Sequence, residues 1–296
     1  MKQGTKDRTQ QLSGIALAFV AVSMFSTSAV LIRVIKDISS IEITFWRMLI
    51  AGLLVLGAAL VSSQLSLQNN PFNRRFLAYG LVAAMHFFFY IASLEYTTVS
   101  NSLALVYTAP VFVALFAALA LHESINWKQW IGICVVVVGV MIFSGFDLGF
   151  DKSRLIGNFL AILSAAAFGV YSVMGRGERD KYPLLVYAGG TYLTASLWLL
   201  PLAAHSMINS SYSTTNIIAL LALAIVPLGM GHTLYNAALR RIHAAHANVL
   251  STLEVPGGTL LAWLFVKEPV TLRDMIGMFI ILFGVLTVIL TADRTP

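Results

Sequence analysis

The sequence predicts an all-α polytopic membrane protein with ten transmembrane helices, arranged as two inverted five-helix repeats. Three observations carry that expectation. Hydrophobic residues fill 58% of the 296 positions and charged residues only 11%, against about 45–50% and about 25% in soluble domains. Apolar runs close to the roughly 20 residues needed to cross a bilayer recur along the whole chain. Two long stretches also repeat each other at a fixed spacing. The composition excludes a soluble domain, a disordered chain, a collagen and a coiled coil.

The apolar segments fall at 12–33, 43–62, 75–95, 100–120, 128–146, 155–175, 183–204, 216–239, 244–266 and 273–291. A short cytoplasmic tail, 1–11, precedes the first. Its stretch is too long for a signal-peptide core, so the expectation is a retained helix. Polar punctuation separates the others: SSQLSLQNNPFNRR after the second, GFDLGFDKSR after the fifth, GERDKYP after the sixth and NSSYSTT after the seventh. Only a turn around Thr97–Asn101 separates the third and fourth, which makes them a tight antiparallel hairpin.

Residues 90–143 laid over 235–288 match at twelve places, including Tyr90/Tyr235, Leu94/Leu239, Glu123/Glu268, Gly132/Gly277 and Gly139/Gly284. Residues 14–33 over 157–176 match at six more, among them Phe25/Phe168 and Arg33/Arg176. The repeat units are therefore 12–146 and 155–291. Five helices is an odd number, so the second unit must enter the membrane from the opposite side. Many secondary transporters use such a pair for alternating access. With both termini cytoplasmic, twelve Lys and Arg lie inside and seven outside, as the positive-inside rule prefers. The sequon Asn209-Ser-Ser then falls on the outer side.

The net charge of +6 is scattered between apolar runs, which argues for orientation signals and against a nucleic-acid partner. A lone cysteine, Cys134, cannot close an intrachain disulfide. There is no G-x-x-x-x-G-K-[ST], no H-E-x-x-H and no arginine-rich helix, so P-loop ATP binding, an intramembrane zinc protease and a voltage sensor are not expected. No cofactor or metal is called for.

The chemistry-bearing residues are few. Glu254 lies inside the ninth segment, where a carboxyl must face the bundle interior and be paired or protonated. His86 and Tyr90 share a helix face, as do His232 and Asn236, and Tyr235 beside them is the repeat mate of Tyr90. Asn101, Leu105 and Thr108 form a stripe in the fourth segment with Tyr107 adjacent. One reading makes His86, Tyr90, Tyr107, His232, Asn236 and Glu254 a central substrate-binding cavity; the other makes them helix-to-helix hydrogen bonds. Arg47 and Arg33 are read as snorkelling to the interface. Asn126/Gln129 and Thr271/Asp274 have the spacing of capping boxes. Recurrent glycine pairs point to close helix packing. Those after Pro227 and Pro256 add the expectation of loosened helices.

The stretch from Ala92 to Phe143, with a central Pro, then Glu123, then G-x6-G, resembles the second part of an EamA-type unit of the drug/metabolite transporter superfamily. Residues 237–288 resemble it again, LEVP standing where the family has Leu-Glu-Pro, and FWRMLIAG resembles the family's second helix. The resemblance implies ten helices in two inverted repeats and an exporter or exchanger of small organic metabolites, such as amino acids or drug-like solutes, in a cytoplasmic membrane. Membrane lipid, a small-molecule substrate and proton coupling or a counter-substrate are the expected partners, with a monomer or homodimer as the assembly. A nucleotide sugar or sugar phosphate calls for Lys or Arg inside the cavity, and none is expected there. An intramembrane enzyme or a non-transporting scaffold are the readings from other classes.

Overall fold

A computed structural model describes residues 2–66, 70–97, 99–146, 151–208, 210–267 and 269–291. Asn209, Glu268 and Arg294 lie outside the described residues. The described chain is helical throughout: α1 (Lys2–Phe25), α2 (Ser28–Val34), α3 (Ser40–Val61), α4 (Arg74–Tyr96), α5 (Val99–Val106), α6 (Ala109–Leu121), α7 (Trp127–Ser144), α8 (Lys152–Gly177), α9 (Leu184–Met207), α10 (Thr214–Leu223), α11 (Thr233–Leu239), α12 (Ala244–Ser251), α13 (Glu254–Leu261) and α14 (Leu272–Leu290). π-Helical turns at Ala224–His232 and Ala262–Val266 join α10 to α11 and extend α13.

Among the described residues, nine stretches are long and apolar enough to cross a membrane. Three expected single helices are instead broken. The first segment divides at Ser26–Thr27, the fourth at Tyr107–Thr108 and the ninth at Thr252–Leu253. The ninth, in pieces of eight, eight and five residues, is the segment that forms no single spanning helix. Adding the repeat shift of 145 to Tyr107 and Thr108 gives Thr252 and Leu253, so two of the breaks occupy the same place in both halves.

Each break uses the same local chemistry. The Thr27, Thr108 and Thr252 hydroxyls donate to the carbonyls three residues earlier, Met24, Leu105 and Val249, at 2.7, 2.6 and 2.6 Å. Backbone amides there also bond three residues back, as in Thr108 to Leu105 and Thr252 to Val249, which tightens the turn. Pro110 and Pro256 follow two of the breaks and supply no amide donor. The hydroxyl competes for a carbonyl that a regular helix would use, and the helix gives way.

The capping boxes are present. Asn126 accepts from the Gln129 amide while Gln129 accepts from the Asn126 amide, both at 2.9 Å, and Thr271 and Asp274 do the same at α14. Glycine packing is clearest where α7 meets α14. A Cβ on Gly284 would stand 2.8 Å from the Gly132 carbonyl oxygen, and one on Gly277 2.6 Å from the Phe143 backbone. Gly57 is an exception, with nothing near it. The outward face of α14 carries Phe279, Phe283, Leu286 and Leu290, all exposed, as a lipid-facing surface requires. Cys134 is exposed as well.

One end of the bundle is pinned by Glu42. This fully buried residue caps its own helix by accepting from the Ser39 amide and hydroxyl, and it accepts from Ser210 at 2.7 Å and Tyr212 at 3.0 Å. Tyr212 in turn accepts from the Trp46 indole at 3.0 Å. Burial first, and then the Glu42 carboxylate, push the Tyr212 phenol above its usual range, against the pull of the Trp46 bond.

Candidate functional site

The breaks matter because they bring freed backbone and polar side chains to the middle of the bundle. The break in the first segment packs on α13: a Cβ on Gly257 would clash with the Ser26 hydroxyl. Glu254 is the first residue of α13. It sits on the break itself, and is not the mid-helix carboxyl the sequence suggests. Such a position is where irregular backbone in a membrane protein is tolerated, lining a cavity or buried by neighbours.

Arg47 corrects the sequence reading. It does not snorkel; it is 8% exposed, with its guanidinium carbon 5.5 Å from the Phe87 ring centre. Its Nε is buried and has no hydrogen-bond partner among the described residues. The cause is the packing of α3 against α9 and the π-helical turn, which buries the face carrying Thr44, Arg47, Met48 and Ala51. Arg47 lies within electrostatic reach of Glu254 and Tyr90, and Tyr107 within reach of Glu254. Arg47 on α3, Tyr90 on α4, Tyr107 at the fourth-segment break and Glu254 on α13 thus lie within electrostatic reach of one another, with one formal charge of each sign.

An aromatic wall closes one side. The His232 ring stands 4.4 Å from Phe25, 5.8 Å from Phe87 and 6.3 Å from Tyr171. Phe168 stacks on His86 at 4.7 Å and on Tyr235 at 5.7 Å. His232 reaches this wall from the π-helical turn containing Pro227. Turns of this kind are frequent at functional sites.

The other two candidate residues have structural partners. His86 Nδ1 lies 3.0 Å from both the carbonyl and the hydroxyl of Ser164, tying α4 to α8. Asn236 is 1% exposed and donates to Tyr171 at 2.7 Å and to Tyr192 at 3.5 Å. Both act as ties between helices beneath the wall. Asn101 and Leu105 of the fourth-segment stripe are likewise buried. The described residues contain no group of His, Cys, Asp and Glu able to hold a metal ion.

The EamA-like transporter family matches the chain twice, over residues 12–145 and again over 155–290. The chain belongs to the EamA-like transporter family. It is a multi-pass membrane transporter and not an enzyme. An uncharacterized transporter of Archaeoglobus fulgidus is 24% identical over 258 residues, covering 86% of this chain and 90% of that protein. The uncharacterized inner membrane transporter YicL of Salmonella typhimurium is 22% identical over 292 residues, covering 95% and 96%. A solved crystal structure shares the fold at a TM-score of 0.83, with 21% identity and coverage of 95% and 98%. For an EamA-like transporter the internal arginine is the feature that sequence patterning missed. Its position seven residues after Ser40 reads as interfacial, and only the helix contacts show that it points inward.

Proposed function

We propose that this EamA-like transporter exports or exchanges small zwitterionic metabolites, amino acids or solutes like them, by alternating access. The observation that carries the reading is the buried Arg47, whose Nε has no partner among the described residues, within electrostatic reach of Glu254 at the ninth-segment break. A buried donor with no acceptor costs about 1–3 kcal/mol. A substrate carboxylate reaching Arg47 Nε removes that cost, and an ammonium group suits Glu254. His232 and its aromatic neighbours then pack the apolar part of the solute.

The same charges bear on the second reading. Arg47 supplies the internal cation that a sugar phosphate or nucleotide sugar requires. One arginine beside one glutamate leaves no net positive charge, however, and Glu254 would repel a phosphate dianion. The arrangement favours a zwitterion.

The moving bodies in this proposal are 12–146 and 155–291, with 244–266 counted as a tenth, broken crossing. The Lys and Arg distribution supports a cytoplasmic membrane with both termini inside. The description of YicL as an inner membrane transporter agrees with that placement.

The deciding experiment is uptake and efflux by proteoliposomes against a panel of amino acids, cationic amines and sugar phosphates, with and without a pH gradient. Zwitterions are expected to be carried, and Arg47→Ala to raise the half-saturation constant at least tenfold. Movement of sugar phosphates alone would overturn the substrate class.

A further inference from the structure

The end of the bundle opposite Glu42 is held by one carboxylate. Glu123, just past α6, accepts from Arg176 Nε at 2.6 Å and from the Ala244 amide at 3.0 Å. Arg176, in the last turn of α8, also donates from Nη1 to the Leu239 carbonyl at 3.0 Å. The ion pair is well shielded, its side chains 13% and 10% exposed. Glu123 belongs to the first repeat; Arg176, Leu239 and Ala244 belong to the second. The contact therefore joins the two halves across their interface.

From this geometry we infer that Glu123 and Arg176 are positioning residues of the transport cycle: a latch that closes this end of the bundle and opens during each turnover. Two observations carry the inference. First, the latch grips α12 at its N-terminus, where the Ala244 amide has no partner within its own helix and donates to Glu123. The other end of α12 is the Thr252–Leu253 break, next to Glu254. Eight residues at about 1.5 Å each make α12 a short rigid lever between latch and candidate site. A buried bond from Gln129 to His246, 2.7 Å between nitrogens, holds the same lever to the first repeat. Second, the sequence repeat carries the same two residue types in mated positions. Arg33 is the mate of Arg176 and Glu268 the mate of Glu123. A two-ended cycle calls for a closing contact at each end, and the mated residue types suit that need.

The inference rests on the alternating-access reading, but its test needs no substrate. In a Cys134→Ser background, a cysteine replaces Ala245, which is 1% exposed on α12. Its labelling by a membrane-impermeant maleimide is timed from the latch side in proteoliposomes. Glu123→Gln and Arg176→Gln are each expected to speed labelling at least fivefold and to slow turnover in any transport assay. Arg176→Lys can reach only one of its two acceptors at a time, so it falls between the background and Arg176→Gln. The exchange Glu123→Arg with Arg176→Glu labels more slowly than either single reversal. Should a Gln variant fail to fold, Arg176→Lys decides alone. Unchanged labelling in folded variants, with a lowered melting temperature as the only effect, would show a structural tie and overturn the latch. Loss of zwitterion transport by the unaltered protein would instead overturn the proposed function and leave the labelling result standing.

Discussion

Arg47 and Glu254 show why a charged residue inside a bundle is legible only in part from sequence. Glu254 stands out because seven uncharged residues separate it from His246 on one side and no charge follows until Lys267 on the other. Arg47 follows a tryptophan near a helix start, which is also the pattern of an interfacial anchor. Nothing local distinguishes the two cases; the contacts of α3 with α9 and the π-helical turn decide it. Similarly, His86 and His232 look alike in sequence and both pack on the aromatic wall, yet His86 is also tied to Ser164. Two outcomes follow at this scale. Glu254→Gln keeps the shape but cannot ionise, so transport should lose its pH dependence while the protein folds and inserts normally. Titratable neighbours on every side are Arg47, Tyr90 and Tyr107, and a pH profile identical to the parent's would make Glu254 structural. Cysteines at 90 and 236 separate the two readings of the polar faces. Tyr90→Cys should react with small aqueous thiol reagents and be protected by substrate. Asn236→Cys, placed among Tyr171, Tyr192 and Gly175, should stay unreactive and lower the melting temperature.

At the scale of elements, the spans and their caps were readable because hydrophobic length and capping chemistry are local. The α3, α4, α7, α9 and α14 ends fall within three residues of the expected bounds. Two of the three breaks had a local sign in Pro110 and Pro256. The third, at Ser26–Thr27, has neither proline nor glycine, and the Thr27 hydroxyl bonded to Met24 is its visible cause. Threonine inside a helix is usually harmless, so that cause is invisible until a tertiary partner, here α13, favours the broken form. The proline breaks make a prediction of opposite sign for stability and function. Pro256 stands in the first turn of α13, where proline is tolerated, and Pro256→Ala supplies the amide donor that a continuous α12–α13 helix would use. The variant should melt at a higher temperature and turn over more slowly, by about tenfold, because a straightened ninth segment couples α12 and α13 that the cycle needs to bend. Equal turnover at raised stability would show the break to be incidental.

The whole molecule depends on inversion. If each half holds five crossings, the first half starts on one face and the second on the other, and residue positions related by the repeat must lie on opposite faces. Glu42, Ser206, Ser210 and Tyr212 then share one face, while Glu123, Arg176 and Ala244 share the other. Which face is cytoplasmic is the expectation drawn from the lysines and arginines. Site-directed labelling tests the assignment directly. In a Cys134→Ser background, cysteines at Ser210 and Ser213 should react with an impermeant maleimide in intact cells. Cysteines at Arg179 and Lys181, in the turn after α8, should react only after the membrane is opened. Reaction of both groups from one side would mean that a half holds an even number of crossings. The two repeats would then run parallel, Arg33 and Glu268 would share a face with Glu123 and Arg176, and rocking of inverted halves would have no geometric basis.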